Sequence, residues 1–291
     1  MSSTFAADAQ AATLGERWRE IPWNRYRLLV IGGVIVTGVL LSAIFAGVIS
    51  THSPYTQNIA DQLKGPSFTH LFGTDQYGRD VFSRTVYASR ISVEVASVAV
   101  GIGLIGGAVI GIVSAYFGGV LDMVLMRLME VVFSFPAILL AVVLMAALGT
   151  SMFNAMIAIG IIYIPGFSRL ARTSTLWVLR QNFIEVAHAI GMSRSRIILR
   201  EILPNVVTPL LVEAMVAFAY AALLESALSF LGLGAQPPQP SWGNMLNEGR
   251  GFVYQAPWLG IAPGAALFLT VMGFNLIGDG IRDWLDPRLK D

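Results

Sequence analysis

The sequence contains no cysteine. Disulfides, zinc–thiolate sites, iron–sulfur clusters and cysteine nucleophiles are therefore excluded within this chain. Lysine is nearly absent too: Lys64 and Lys290 are the two present, followed by Gly65 and Asp291. A phosphate-binding loop of the ATPase type needs a lysine followed by serine or threonine after a glycine-rich turn. Neither lysine completes one, so any ATP that drives this protein is hydrolysed by another chain. Charge is scarce as well, with 13% of the 291 residues charged against about a quarter in ordinary soluble domains. The formal net charge of +1 makes no electrostatic case for nucleic acid or for an acidic substrate. The histidines, His52, His70 and His188, are far apart without ligand-like spacing. No metal site built by this chain alone is expected, and no catalytic residue is identified.

What the sequence has in abundance is apolar residues, 55% of the total, with a mean hydropathy of +0.67. A membrane-spanning helix takes about 20 mostly apolar residues. Six segments qualify: 28–49, 92–116, 123–148, 152–167, 206–230 and 258–278. Each is expected to be helical, because lipid offers the backbone no hydrogen-bond partners. The expected fold class is thus an all-α membrane protein with six transmembrane helices. Phe117-Gly118-Gly119 reads as a tight turn between the second and third. Gly101, Gly103, Gly106, Gly107 and Gly111 in the second segment suit close helix–helix approach.

Basic residues set the expected orientation. With the N-terminus inside, fourteen of the 19 Lys and Arg residues fall in inside segments and five outside. Both termini are therefore expected to be cytoplasmic. The chain divides into an N-terminal arm, 1–27, which is polar without the apolar core of a cleaved signal; a first helix and external segment, 28–90; a main transmembrane domain, 91–284; and a tail, 285–291. A second external segment, near 232–257, begins with the proline-rich Gln236-Pro237-Pro238-Gln239-Pro240 and is not a continuous helix there.

Within that main domain the cytoplasmic stretch 168–205 carries six arginines. In it, Phe183-Ile-Glu-Val-Ala-His-Ala-Ile-Gly-Met192 reads as a short helix with small residues Ala187 and Ala189, stopped at Gly191. Ser193 is placed to cap a following helix with Arg194, Arg196 and Arg200, and Pro204 and Pro209 mark the entry to the fifth span. A short apolar helix there packs on the membrane surface or on its own bundle, or else docks in a groove on a soluble partner, with Glu185 fixing the register.

Charges within spanning segments are functional candidates, because burying them in lipid is costly. Arg127–Glu130 and Asp279–Arg282 are spaced for i,i+3 pairs, and Glu94 lies near the outer end of the second span. Glu213 and Glu225 are roughly 18 Å apart along the fifth span and point about 120° apart. Packing is expected for Glu213; Glu225 is the candidate for the transport pathway.

Glu185, Ala187, Gly191, Leu203 and Pro204 resemble the E-A-A-x3-G-x9-I-x-L-P loop of ABC importer permeases, with Val186 and Glu201 departing from it. Arg200-Glu-Ile-Leu-Pro-Asn205 is similar to the peptide-permease version. His70-Leu-Phe-Gly-Thr-Asp-Gln-Tyr-Gly-Arg-Asp-Val-Phe-Ser-Arg84, Leu228-Ser-Phe-Leu-Gly-Leu-Gly234 and 278–290 resemble the C-type subunit of oligopeptide and dipeptide permeases. The resemblance implies a type I importer fold in the cytoplasmic (inner) membrane, surrounded by lipid. It implies a homologous B-type permease, two ATP-binding subunits or domains, and an external peptide-binding protein as partners. ATP and magnesium would belong to the ATPase, leaving no cofactor in this chain. Glu185, Ala187, Ala189, Gly191, Met192, Leu203 and Pro204 would form the ATPase-coupling loop. Nickel chelates or other small solutes are the alternative cargo. An ion-coupled secondary transporter is the alternative class, though the internal repeats common there are not evident.

Overall fold

A computed structural model describes residues 23–285. The arm up to residue 22 and the tail from residue 286 lie outside them. Nine helices organise the described chain: α1 (Trp23–Ile44), α2 (Val81–Phe117), α3 (Gly119–Phe133), α4 (Ala137–Leu148), α5 (Met152–Val178), α6 (Asn182–Ala189), α7 (Arg194–Phe230), α8 (Trp242–Gly249) and α9 (Trp258–Leu285). Helices α1, α2, α5, α7 and α9 are each long and apolar enough to cross a membrane. The divisions drawn after residues 27 and 90 fall inside α1 and α2.

The third expected span is not one helix. Helices α3 and α4 together have the length and composition of a span, but they meet at 92°. Pro136 has no N–H to donate, and its ψ of 129° turns the chain out of the helical path just before Ala137. Counted as one broken crossing, the pair brings the spans to six.

Four spans outrun their apolar segments, α9 by continuing past Gly278 to Leu285. Asp80 caps α2, its side chain accepting from the Ser83 N–H at 2.8 Å, so the helix begins ahead of Arg84 and Arg90. Helix α5 continues past Phe167 because Ser168, Ala171, Thr175 and Val178 remain buried, a helical spacing that keeps one face on the core. The fifth span also starts early. An α-turn at Arg194–Arg196 passes through a π-helical stretch, Ile197–Ile202, straight into Leu203–Phe230. Pro204 and Pro209 thus lie inside a continuous helix, and Ser193 makes no side-chain cap.

The tightest packing joins α2 to α5. A Cβ on Gly103 would lie 2.6 Å from that of Tyr163, and one on Gly107 would lie 2.8 Å from the Ile164 carbonyl oxygen. Gly111 is equally close to Ala171, at 2.7 Å, whereas Gly101 has open space. This four-residue repeat of glycines lets the two backbones touch. The main core, including Ala99, Ile159, Phe167, Leu210 and Leu228, lies between α2, α5 and α7. Helix α1 packs on α9, where a Cβ on Gly32 would meet the Gly273 carbonyl at 2.8 Å. Helix α3 buries none of its residues, and Val120, Met123, Val124, Leu128 and Val131 are exposed.

The two segments expected outside the membrane share one end of the bundle. Trp258 Nε1 donates to the Thr74 carbonyl at 3.1 Å, and Trp242 Nε1 to that of Thr85 at 3.0 Å. The Gly118-Gly119 turn and α6 lie at the other end.

Candidate functional site

Helix α6 has two faces with different work. Ile184 and Ala187 are buried and belong to the main core, alongside Ile197 and Ile202 of the π-helical stretch. Met192 and Leu203 pack partly against the same cluster. The opposite face carries Phe183, Val186 and Ile190, which are 43%, 58% and 71% exposed. Their spacing puts them on one side of a helix, flanked by exposed Glu185 and Ala189. The seven residues of the expected coupling loop therefore divide. Ala187, Met192 and Leu203 hold the helix to the bundle; Glu185, Ala189, Gly191 and Pro204 face outward. Val186, which in the sequence stands out only as a departure from alanine, is at the centre of this exposed face.

The end of α6 is fixed by hydrogen bonds. Gly191 adopts a φ of +74°, donating to the His188 carbonyl at 3.0 Å while Met192 donates to Ala187 at 3.0 Å. These are the paired bonds of a Schellman stop, for which a left-handed glycine is suited. At the helix's start, only Leu179, Arg180 and Gln181 separate it from α5. Helix α5 is itself clamped: Arg172 Nε and an Nη each bind a different oxygen of Asp122 at 2.6 Å, and Ser114 of α2 also donates to Asp122. Helices α2, α3 and α5 are thus joined at Asp122 by short, charge-assisted contacts.

The carboxyl groups of α7 are placed differently from expectation. Glu225 is 1% exposed, enclosed by the hydroxyls of Ser92 at 3.1 Å, Ser229 at 2.7 Å and Ser226 at 3.5 Å. It joins α7 to α2 and presents no open face. Glu213 is exposed instead, on the side of α7 where Tyr220 and Leu223 are 54% and 45% exposed. Arg127 and Glu130 pair at 2.9 Å on an exposed face, whereas Asp279 and Arg282, both exposed, do not pair with each other.

At the opposite end, the stretch from His70 to Arg84 folds into a charged clasp. Arg79 Nε binds Asp75 at 2.5 Å, and its Nη2 binds Glu248 of α8 at 2.6 Å. Arg84, 2% exposed, adds contacts to Glu248 at 3.3 Å and Asp75 at 3.6 Å. Gly73 and Gly78 take φ of +73° and +70°, and any side chain on Gly78 would overlap the Asn58 carbonyl. His52 and His70, remote in sequence, come together here.

Residues 107–291 match the family model described as binding-protein-dependent transport system inner membrane component. Residues 18–66 match the N-terminal transmembrane domain of oligopeptide transport permease C. The chain is 44% identical over 275 residues to a dipeptide transport system permease protein of Alkalihalophilus pseudofirmus, covering 94% of this chain and 90% of that one. It is 42% identical over 261 residues to a probable D,D-dipeptide transport system permease protein of Escherichia coli, covering 90% and 88%. A glutathione transport system permease protein of Escherichia coli is 42% identical over 277 residues, covering 94% and 91%. Among solved structures, the MetNI methionine ABC transporter in an inward-facing conformation aligns with a TM-score of 0.58 at 16% identity, covering 69% of this chain and 96% of that one.

Proposed function

The chain belongs to the family of binding-protein-dependent transport system inner membrane components, and we propose that it is the permease subunit of an ATP-driven importer of dipeptides or oligopeptides. It is a multi-pass protein of the inner membrane. In this reading it forms the translocation path together with a homologous permease, whose contact surface includes the uncovered face of α3. An external binding protein delivers cargo at the clasp end, and two ATPase subunits or domains act at the α6 end. ATP hydrolysis takes place in those partners.

The observation that carries the reading is the divided face of α6. An exposed row of Phe183, Val186 and Ile190 on a helix anchored by Ile184 and Ala187 is a knob built to enter a groove. Glu185 sets its register there, the Gly191 stop fixes its length, and Leu203 and Pro204 lie within the rigid lever of α7. Closure of the ATPases then selects one of two bundle arrangements by its contact with that knob. The peptide cargo is supported by the relatives named above, and Glu213 with Tyr220 is the polar face of α7 available to line the path.

The test is Val186→Glu. Val186 is largely exposed in the isolated chain, so insertion and folding are expected to be unchanged. A charge at the centre of the docking row is expected to cost on the order of 2 kcal/mol, about 30-fold in ATPase affinity. ATPase co-purification and peptide uptake should fall together. Full co-purification with unaltered uptake would overturn the assignment of α6. Cargo is read separately, from the ligand carried by the binding protein, and a nickel chelate there would replace peptide in the proposal.

A further inference from the structure

His52 follows the end of α1, and His70 lies in the segment before α2. The fold brings their rings to 4.8 Å between centroids, tilted by 32°. Both approach the same atom. Asp80 Oδ1 is 2.9 Å from His70 Nδ1 and 3.9 Å from His52 Nδ1, and the three donor atoms all lie within 4.8 Å of one another. Two ligands bound at a tetrahedral angle about 2 Å from one zinc-sized ion stand roughly 3.3 Å apart. The separations from Asp80 bracket that figure, so modest ring movement would converge all three.

The electrostatics ask for a cation. The Asp80 side chain is 1% exposed, and buried carboxylates are paired or coordinate metals. The neighbouring guanidiniums are committed elsewhere, Arg79 and Arg84 to Asp75 and Glu248. Among the described residues, the ion-pair partners of Asp80 are the two histidines. Its second oxygen is already oriented by the Ser83 N–H at 2.8 Å, and Ser83 Oγ in turn accepts from the His52 backbone N–H at 3.1 Å. Outer contacts of this kind hold metal ligands in place. The His52 side chain is 44% exposed, which opens the cluster to solvent, and Thr51 Oγ1, 3.0 Å from its Nδ1, is a further oxygen within reach.

We propose that His52, His70 and Asp80 form a binding site for one divalent cation of the zinc class, at the end of the bundle opposite α6. Two imidazoles and one carboxylate suit a borderline transition ion better than calcium or magnesium, which take oxygen ligands. A bound ion fastens the end of α1, the segment after it and the first turn of α2 to a single point. This inference is independent of the cargo and of the role given to α6.

The full-length chain, purified in detergent without a polyhistidine tag, is stripped with a chelator and titrated with zinc by calorimetry. X-ray absorption is then recorded on the loaded protein. One zinc per chain is expected, with two imidazole nitrogens in its shell. Loss of an outer-shell contact alone costs about 10–100-fold in metal affinity, so His52→Gln, at an exposed position, should weaken binding at least tenfold. His188→Gln, on α6, should leave the titration unchanged. Absence of a stoichiometric site, an H52Q curve that superimposes on the parent, or a shell without imidazole overturns the proposal. His70→Gln, with melting temperature measured alongside, separates loss of a ligand from loss of fold: weaker zinc binding at an unchanged melting temperature supports the site, and unchanged zinc binding counts against it.

Discussion

A carboxyl group enclosed between two helices must find its hydrogen-bond partners inside the protein. Glu225 does so with Ser92, Ser226 and Ser229, and this gives it the character of a fastener between α2 and α7. Truncation should therefore act on stability. Glu225→Ala strands buried hydroxyls at about 1–3 kcal/mol each, whereas Glu225→Gln keeps an acceptor and should retain most of the stability. Thermal unfolding in detergent, set beside uptake normalised to folded protein, checks this. A pathway role would show as lost uptake at an unchanged melting temperature in both variants. Helical angle separates Glu213 from Glu225, but packing is expected from the sequence for Glu213, whereas it is Glu225 that the structure buries. The physical reason is that lipid-facing and core-facing positions of a spanning helix are both apolar. Neighbours of Glu225 on α7 such as Ala222 and Leu228 are buried, while Leu211 and Leu223 are exposed, and nothing in their chemistry distinguishes the sides.

At the scale of the element, run length made the existence of every span legible, and local chemistry decided where each ended. Asp80 was readable as a cap in principle, yet Arg84 masked the start of α2 because a buried arginine needs partners remote in sequence, while Arg90 is exposed. Pro136 was visible within the expected third span and is the residue that breaks it. The π-helical entry to α7 left no signal of its own. The glycines of α2 were legible as a packing surface, and the structure selects which of them matter. Gly107→Ala must push a methyl to 2.8 Å from the Ile164 carbonyl and the Ser168 nitrogen, so α2 and α5 have to part. Overpacking of this kind costs about 1–3 kcal/mol. Gly101→Ala, with open space around it, should unfold at the parent temperature or slightly above, alanine being the better helix former. Equal behaviour of the two variants in a thermal melt would mean that the glycine stripe does not set the distance between the helices.

The whole molecule has two polar ends, and its scarce lysines make them distinguishable by experiment. From the count of basic residues we propose that both termini are inside, an orientation that would leave Lys64 outside and Lys290, beyond the described residues, on the cytoplasmic side. A lysine-specific protease added to sealed spheroplasts is therefore expected to cut once, after Lys64. The cut should be slow, because the Lys64 backbone is pinned: its N–H donates to Thr74 Oγ1 at 2.9 Å, and its carbonyl accepts from the Thr74 N–H at 2.9 Å. Its ammonium also binds Asp61 at 2.5 Å, a hydrogen bond that holds the Asp61 carboxyl below its ordinary range. Glu248→Ala removes the carboxylate shared by Arg79 and Arg84 and leaves two buried guanidiniums with Asp75 as their one carboxylate partner among the described residues. Breaking a fully buried pair costs 3–5 kcal/mol. The Glu248 side chain is 25% exposed, and discounting for that gives about 2 kcal/mol, or roughly 30-fold faster cleavage where cutting follows the open population. Faster cutting at Lys64 in this variant, with Lys290 cut only after permeabilisation, ties the sidedness of the chain to the clasp that holds its outer segment. Cleavage at Lys290 in sealed spheroplasts would reverse the orientation, and an unchanged rate at Lys64 would mean that the segment is held by its two tryptophan contacts, Trp242 to Thr85 and Trp258 to Thr74, rather than by charge.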